Sequence, residues 1–175
     1  MRRKLWFTLA VVLQIIILVV MIGMKWSTLA YGTKILLKTK PVDPWDLFRG
    51  DYVVLNYDIS DLDLKTVSAD GENFKTNETV YVTLKKHGNY WTVQSVSHQK
   101  PGGGVLAVKG VVSYYSPYDK MLNLKYGIES YFVPQYQGSK IEKGRSSLEA
   151  EVSVDKWGNA ALDRLFIQGR EVTFQ

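Results

Sequence analysis

The sequence predicts an all-β domain, an antiparallel sandwich or partly open barrel of about eight short strands, preceded by one apolar N-terminal helix. Three observations predict it. A long uncharged run opens the chain. After that run, apolar and polar residues alternate with a period of two. Gly, Pro, Asn and Asp clusters break the alternation at short intervals, and no helical pattern falls between the strands.

The apolar run is LWFTLAVVLQIIILVVMIGM, residues 5–24. At about 1.5 Å per residue it spans about 30 Å, the thickness of a bilayer's hydrocarbon core. Trp6 and Trp26 stand where interfacial aromatics belong. The run exceeds the h-region of a cleaved signal peptide, so a retained anchor is expected. The competing reading is cleavage after Ala30, at Thr28-Leu29-Ala30. Lys and Arg flank the run on both sides, so their count gives no orientation. Arg2, Arg3 and Lys4 stand immediately before the first apolar residue, as in a signal anchor, and place the N-terminus inside. The expected division is a cytoplasmic tail at 1–4, a transmembrane anchor at 5–24, a stem or first strand at 25–40, and an extracytoplasmic β domain at 41–175. The expected location is the cytoplasmic membrane, crossed once.

Residues 33–39 read as a first strand or a continuation of the stem, ended by Pro41-Val42-Asp43-Pro44. In residues 51–59, Val53, Leu55, Tyr57 and Ile59 share one face, and Tyr52, Val54, Asn56 and Asp58 the other. Residues 79–86 and 90–98 form a hairpin across His87-Gly88-Asn89, with Val80, Val82 and Leu84 on one face. Residues 105–115 are apolar on both faces and predict a central strand. Two further strands, 121–126 and 128–133, follow the Ser116–Asp119 turn. In 148–154 the alternation is cleanest, and Trp157-Gly158-Asn159 turns the chain back into 160–167.

Composition excludes several function classes. Of the 22 Lys and Arg residues, four lie in the first 25 positions, where none of the 17 Asp and Glu residues occurs. The net charge of +5 therefore belongs mostly to the flanks of the apolar run. Nucleic acid is not an expected partner. The chain has no cysteine and only two histidines, His87 and His98, which lie far apart along their hairpin. No metal site and no cofactor are expected. Asp58, Asp61, Asp63, Asp70 and Glu72 lack calcium-loop spacing and read as a solvated acidic loop.

Gly50-Asp51-Tyr52-Val53-Val54-Leu55-Asn56-Tyr57 spells G-D-Y-x-x-L-x-Y, and the chain resembles the GDYxxLxY family of bacterial membrane-anchored proteins. The match continues upstream through Leu47-Phe48-Arg49 and Pro41-Val42-Asp43-Pro44. Downstream it takes in Tyr126-Gly127-Ile128-Glu129 and Tyr131-Phe132-Val133-Pro134, then 148–154 and Gly158-Asn159-Ala160. In the family the residue after that proline is acidic and followed by glycine. Here Gln135-Tyr136 stands instead, so a role for a carboxylate at that point does not carry over. The resemblance implies topology rather than an activity. Its members are similar to accessory proteins encoded beside a multi-pass membrane protein.

In physical terms Gly50 and Asp51 read as a turn that starts a strand, and Leu55 and Tyr57 as core positions. Those three, Gly50, Leu55 and Tyr57, are the structural motif. Candidate binding residues are Arg49, Asp51, Tyr52, Tyr126, Glu129 and Tyr131. Within that set Tyr52, Glu129 and Tyr131 are expected on non-core faces, with Ile128 and Phe132 turned inward. No catalytic residue is expected. A serine–lysine hydrolase similar to signal peptidases would need a desolvated lysine, and Lys85 alternates onto a polar face. A third reading takes the aromatics, among them Tyr114, Tyr115, Tyr118 and Tyr136, as a glycan- or peptide-binding surface. The expected function is an accessory or interaction module. Its expected partners are the bilayer, through the N-terminal helix, and a multi-pass membrane protein.

Overall fold

The computed structural model describes residues 2–40, 52–132 and 147–173. It is mostly β, with one N-terminal helix and several antiparallel sheets. Helix α1 (Arg2–Tyr31) is long and apolar enough to cross a membrane. It outruns the apolar stretch by two turns, because Lys25 to Tyr31 contains no Gly or Pro to stop a helix. Gly32 ends it, its N–H reaching the Thr28 carbonyl at 2.9 Å. Strand β1 (Thr33–Lys40) begins at the next residue. Residues 25–40 are therefore the end of α1 and the first strand, with no separate stem among them.

Strand β2 (Tyr52–Val54) and β3 (Asn56–Tyr57) are one run broken at Leu55, where the chain changes partners. Short β4 (Asp61–Asp63) and β5 (Ser68–Ala69) precede the hairpin of β6 (Thr79–His87) and β7 (Tyr90–Ser97). Then come β8 (Ala107–Ser116), β9 (Met121–Lys125) and β10 (Ser130–Phe132). The chain closes with β11 (Leu148–Val154), β12 (Ala160–Ile167) and β13 (Arg170–Glu171). Partner switching and short edge strands are why the strands outnumber the expected eight.

Strands β13-β12-β11-β1-β3 form one sheet and β4-β9-β8-β6-β7-β5 another, with a β10-β2 ribbon beside them. Among the described residues only the β5–β7 pair is parallel. A single apolar core joins the two large sheets: Ile35, Leu37, Ala150, Val152 and Leu165 from one meet Val80, Val82, Val108, Val112 and Leu122 from the other. The alternation in residues 53–59 holds, with Val53, Leu55, Tyr57 and Ile59 all buried.

Strand β8 is central, between β6 and β9, as its apolar residues predicted, although one of its faces is exposed. Lys109, Val111 and Tyr114 are exposed while Val108 and Val112 are buried. A bulge at Ser113 lies between the Val112–Leu124 and Tyr114–Asn123 pairs. It shifts the alternation by one residue there.

Asp61 is not a solvated loop residue. It accepts Lys40 Nζ at 3.1 Å, Asn56 Nδ2 at 3.3 Å and Asn123 Nδ2 at 2.5 Å, tying four strands together. Partial burial would raise its carboxyl, but these donors hold it below the usual carboxylate range.

At the end of β7, His98 Nδ1 lies 2.7 Å from Asp70 Oδ1 and 3.8 Å from Glu78 at its other nitrogen. Its ring stacks on Phe74 at 4.7 Å. The hydrogen bond to Asp70 raises the imidazole above its usual 6.5. Burial would raise the Asp70 carboxyl, but the bonds from His98 lower it below 3.8. The histidine's contribution is complete below pH 6.5 and fades as pH rises through its raised value. That of Asp70 is present above pH 3.8 and fades as pH falls through its lowered value. The pair therefore stabilises most between those limits. Melting temperature should fall as pH is raised above 6.5, and His98→Gln should flatten that limb. An unchanged slope in the variant would show that another group governs it.

Candidate functional site

The two blocks of the sequence signature are one structural unit. Strand β10 pairs β2 with Ser130 opposite Val54, Tyr131 opposite Val53 and Phe132 opposite Tyr52. Behind this ribbon two buried tyrosines exchange hydrogen bonds across the blocks. Tyr57 donates its hydroxyl to the Ile128 carbonyl at 2.6 Å, and Tyr126 donates to the Ile59 carbonyl at 2.5 Å. Burial, with the Glu129 carboxylate next in effect, pushes both phenols well above their usual value. Leu55 N–H reaches the Glu129 carbonyl at 2.7 Å, and Glu129 Oε1 accepts Tyr126 N–H at 2.5 Å.

Of the candidate binding residues, Arg49 and Asp51 lie outside the described residues, as does Gly50 of the motif and the Gln135-Tyr136 departure. Tyr52 is placed by its backbone, opposite Phe132. Tyr126 is 7% exposed with its hydroxyl committed to Ile59, so it serves the fold rather than donating to a ligand. Tyr131 is half-buried against the core while Phe132 is 77% exposed, the reverse of the expected facing. The reason is the irregular backbone at Gly127-Ile128-Glu129, which precedes β10 and breaks the alternation that would have linked Ile128 to Phe132.

A second construction stands beside this unit, and strand alternation alone does not reveal it. The C-terminal turns of α1 lie against the β11–β12 hairpin. Lys25 Nζ donates to the Ala160 carbonyl at 3.0 Å. Thr28 Oγ1 is buried 3.0 Å from Asp155 Oδ2 and 3.1 Å from the Met24 carbonyl. Ser153, fully buried, reaches the Leu29 carbonyl at 3.4 Å. Burial would raise the Asp155 carboxyl, but bonds from Asn159, from the Trp157 N–H and from Thr28 lower it. The tight turn depends on Gly158, at φ +90°, where a Cβ would stand 3.1 Å from the Ala107 carbonyl and 3.2 Å from Lys109 N. Trp157 and Trp26 are both exposed.

Between α1 and the exposed face of β8–β9 lies a groove of about 780 Å³. Met21, Met24, Lys25 and Thr28 line it from the helix; Lys109, Val111, Ser113 and Lys125 from the sheet; Tyr126 and Glu129 from the signature. Val111 and Lys125 are direct cross-strand partners, and Lys109 is two residues along the same face as Val111. So the structure brings Glu129 and the Tyr126 ring into a site with Lys25, Lys109 and Lys125, which sequence reasoning missed. The β8–β9 pairing was legible through the Ser116–Asp119 turn, but the approach of α1 was not.

A smaller hollow of about 390 Å³ lies among Lys38, Asp61, Asp63, Tyr90 and Trp91. Of its carboxylates, Asp61 is engaged as above and Asp63 accepts the Lys65 N–H at 2.9 Å, while Asp58 also lines the hollow. Among the described residues no group of three or more His, Asp or Glu side chains converges to hold a metal.

The model of a family described as "GDYXXLXY protein" matches residues 14–165. The match runs from within α1 to β12 and includes both signature blocks. Comparison with curated proteins gives no match, and neither does comparison with solved structures.

Proposed function

We propose that this chain, which belongs to the GDYXXLXY family, is a single-pass protein of the cytoplasmic membrane, its β domain seated on the outer face and steadying another membrane protein. The observation that carries this reading is the junction at Gly32. The helix passes into β1 through one residue, and its last turns are hydrogen-bonded to the β11–β12 hairpin. A domain held this close to an apolar helix can meet only the bilayer surface and whatever stands beside it. Trp26 and Trp157 suit that level, since indoles favour the interface between hydrocarbon and water. The Thr28-Leu29-Ala30 segment is helical and partly buried rather than extended and open, which supports a retained anchor over cleavage.

Binding rather than catalysis fits the polar groups of the groove. Thr28 Oγ1 has the Met24 carbonyl and Asp155 as acceptors, and Ser113 donates to the Asn123 carbonyl at 3.1 Å. Ser113 faces no carboxylate or imidazole, and the Asp155 carboxylate beside Thr28 is taken up by the Trp157 and Asn159 N–H groups and the Asn159 side chain, which lower its basicity. Lys85, the lysine a dyad would need, stands exposed. The partner-facing surface is the β2–β10 ribbon, where Phe132 offers an exposed aromatic opposite Tyr52. A multi-pass membrane protein should co-purify with the full-length chain in mild detergent. It should be lost from a Tyr52→Ser/Phe132→Ser variant that still melts cooperatively. Retention of the same partner by the variant would overturn the assignment, and recovery of a fragment beginning at Tyr31 would overturn the anchor.

A further inference from the structure

We propose that the groove between α1 and β8–β9 binds the headgroup of an anionic phospholipid, with an acyl chain lying along Met21 and Met24. Depth in the bilayer is the first argument. Lys25 follows the last residue of the apolar run, so a groove lined by Met21, Met24 and Lys25 straddles the boundary between hydrocarbon and headgroups. Its apolar end is formed by two flexible, exposed thioether side chains that adapt to an acyl chain.

Charge is the second argument. Several cations elsewhere in the domain sit on carboxylates: Lys34 on Asp163 at 2.8 Å, Arg164 on Glu151 at 2.9 Å, Lys40 on Asp61 at 3.1 Å. Lys25, Lys109 and Lys125 converge on one groove, and among the described residues none of them has a carboxylate partner. The groove's single acid, Glu129, already accepts the Tyr126 N–H through Oε1. Lys25 spends one N–H on the Ala160 carbonyl and keeps two for a phosphate. Three ammonium groups around one opening give a phosphodiester the cations it needs, and a zwitterionic headgroup would bring a repelled cation with it.

This inference rests on the anchoring part of the function proposed above and is independent of any protein partner. The test uses the full-length chain in a neutral detergent, titrated with phosphatidylglycerol or phosphatidylcholine and read by native mass spectrometry. Phosphatidylglycerol should bind roughly tenfold or more tightly than phosphatidylcholine. Lys109→Gln/Lys125→Gln should abolish the difference, whereas Lys109→Arg/Lys125→Arg should keep it, which separates lost charge from lost fold. Lys85→Gln/Lys86→Gln, at the far end of β6, should bind as the parent does. Equal binding of both lipids by the parent, or an undiminished preference in the glutamine variant, would overturn the proposal. Displacement by millimolar inorganic phosphate would also overturn it, in favour of a soluble anion. Alkaline carbonate extraction of native membranes reads the anchor separately, so its failure would not be confused with a groove that ignores lipid charge.

Discussion

Leu55→Ala should destabilise the folded chain by about 2–5 kcal/mol, the cost of a buried large-to-small change with its residual cavity. Leu55 is 2% exposed and sits between β2 and β3, where the strand leaves β10 and joins β1. Its N–H bond to the Glu129 carbonyl survives the substitution, so the loss belongs to the side chain. Tyr57 and Tyr126 of the same core are held by their own bonds, to Ile128 and to Ile59, and have little freedom to shift into the space. Urea unfolding of the full-length protein in detergent, followed by tryptophan fluorescence, measures it. A loss well under 1 kcal/mol, a surface-like value, would mean that this break in the strand relaxes readily.

Gly32→Ala should destabilise by about 1–3 kcal/mol, the range for forcing atoms into a packed site. A Cβ there would stand 2.4 Å from the Thr28 carbonyl oxygen and 3.0 Å from Val154 N. Both are backbone atoms that cannot rotate aside, so the helix end must lift away from β11. The sharper reading is limited proteolysis, with new cleavage near Tyr31 in the variant and none in the parent. Gly102→Ala, where nothing lies within 4 Å of the added carbon, serves as the neutral control. Indifference at both positions would show that the junction is looser than its contacts indicate.

The large sheets were legible where one face is buried and the other wet. Strand β11 falls at the expected 148–154 because Leu148, Ala150, Val152 and Val154 alternate into the core, and Leu55 and Tyr57 were legible for the same reason. Strand β12, at the expected 160–167, was legible from the turn before it, since its own burial does not alternate strictly. Tyr131 and Phe132 were misassigned because alternation was carried through Gly127-Ile128-Glu129, which is irregular rather than strand. Tyr126 read as a surface aromatic because nothing local announces that its hydroxyl meets a carbonyl 67 residues away. Asp61 read as solvated for the same reason, its donors lying on three other strands. The groove was the least legible feature. Its cations come from α1, β8 and β9, and long-range hydrogen bonds through the β11–β12 hairpin, those of Lys25 and Thr28 among them, bring them together.

The single-residue passage from α1 to β1 also makes the molecule a lever. With a flexible stem, a tethered domain tumbles above the membrane whatever its helix does. Here Lys25, Thr28 and Gly32 clamp the two together, so the angle of the helix sets the angle of the domain. A tilt of about 20°, ordinary for a spanning helix, would swing a point about 30 Å above the junction, the length of a nine-residue strand, sideways by about 10 Å. Bilayer thickness governs that tilt, because a helix longer than the local hydrocarbon leans to fit. In the single-pass arrangement proposed above, the outer parts of the β domain would thus sweep towards or away from a neighbour as the surrounding membrane thins or thickens, with no rearrangement inside the domain.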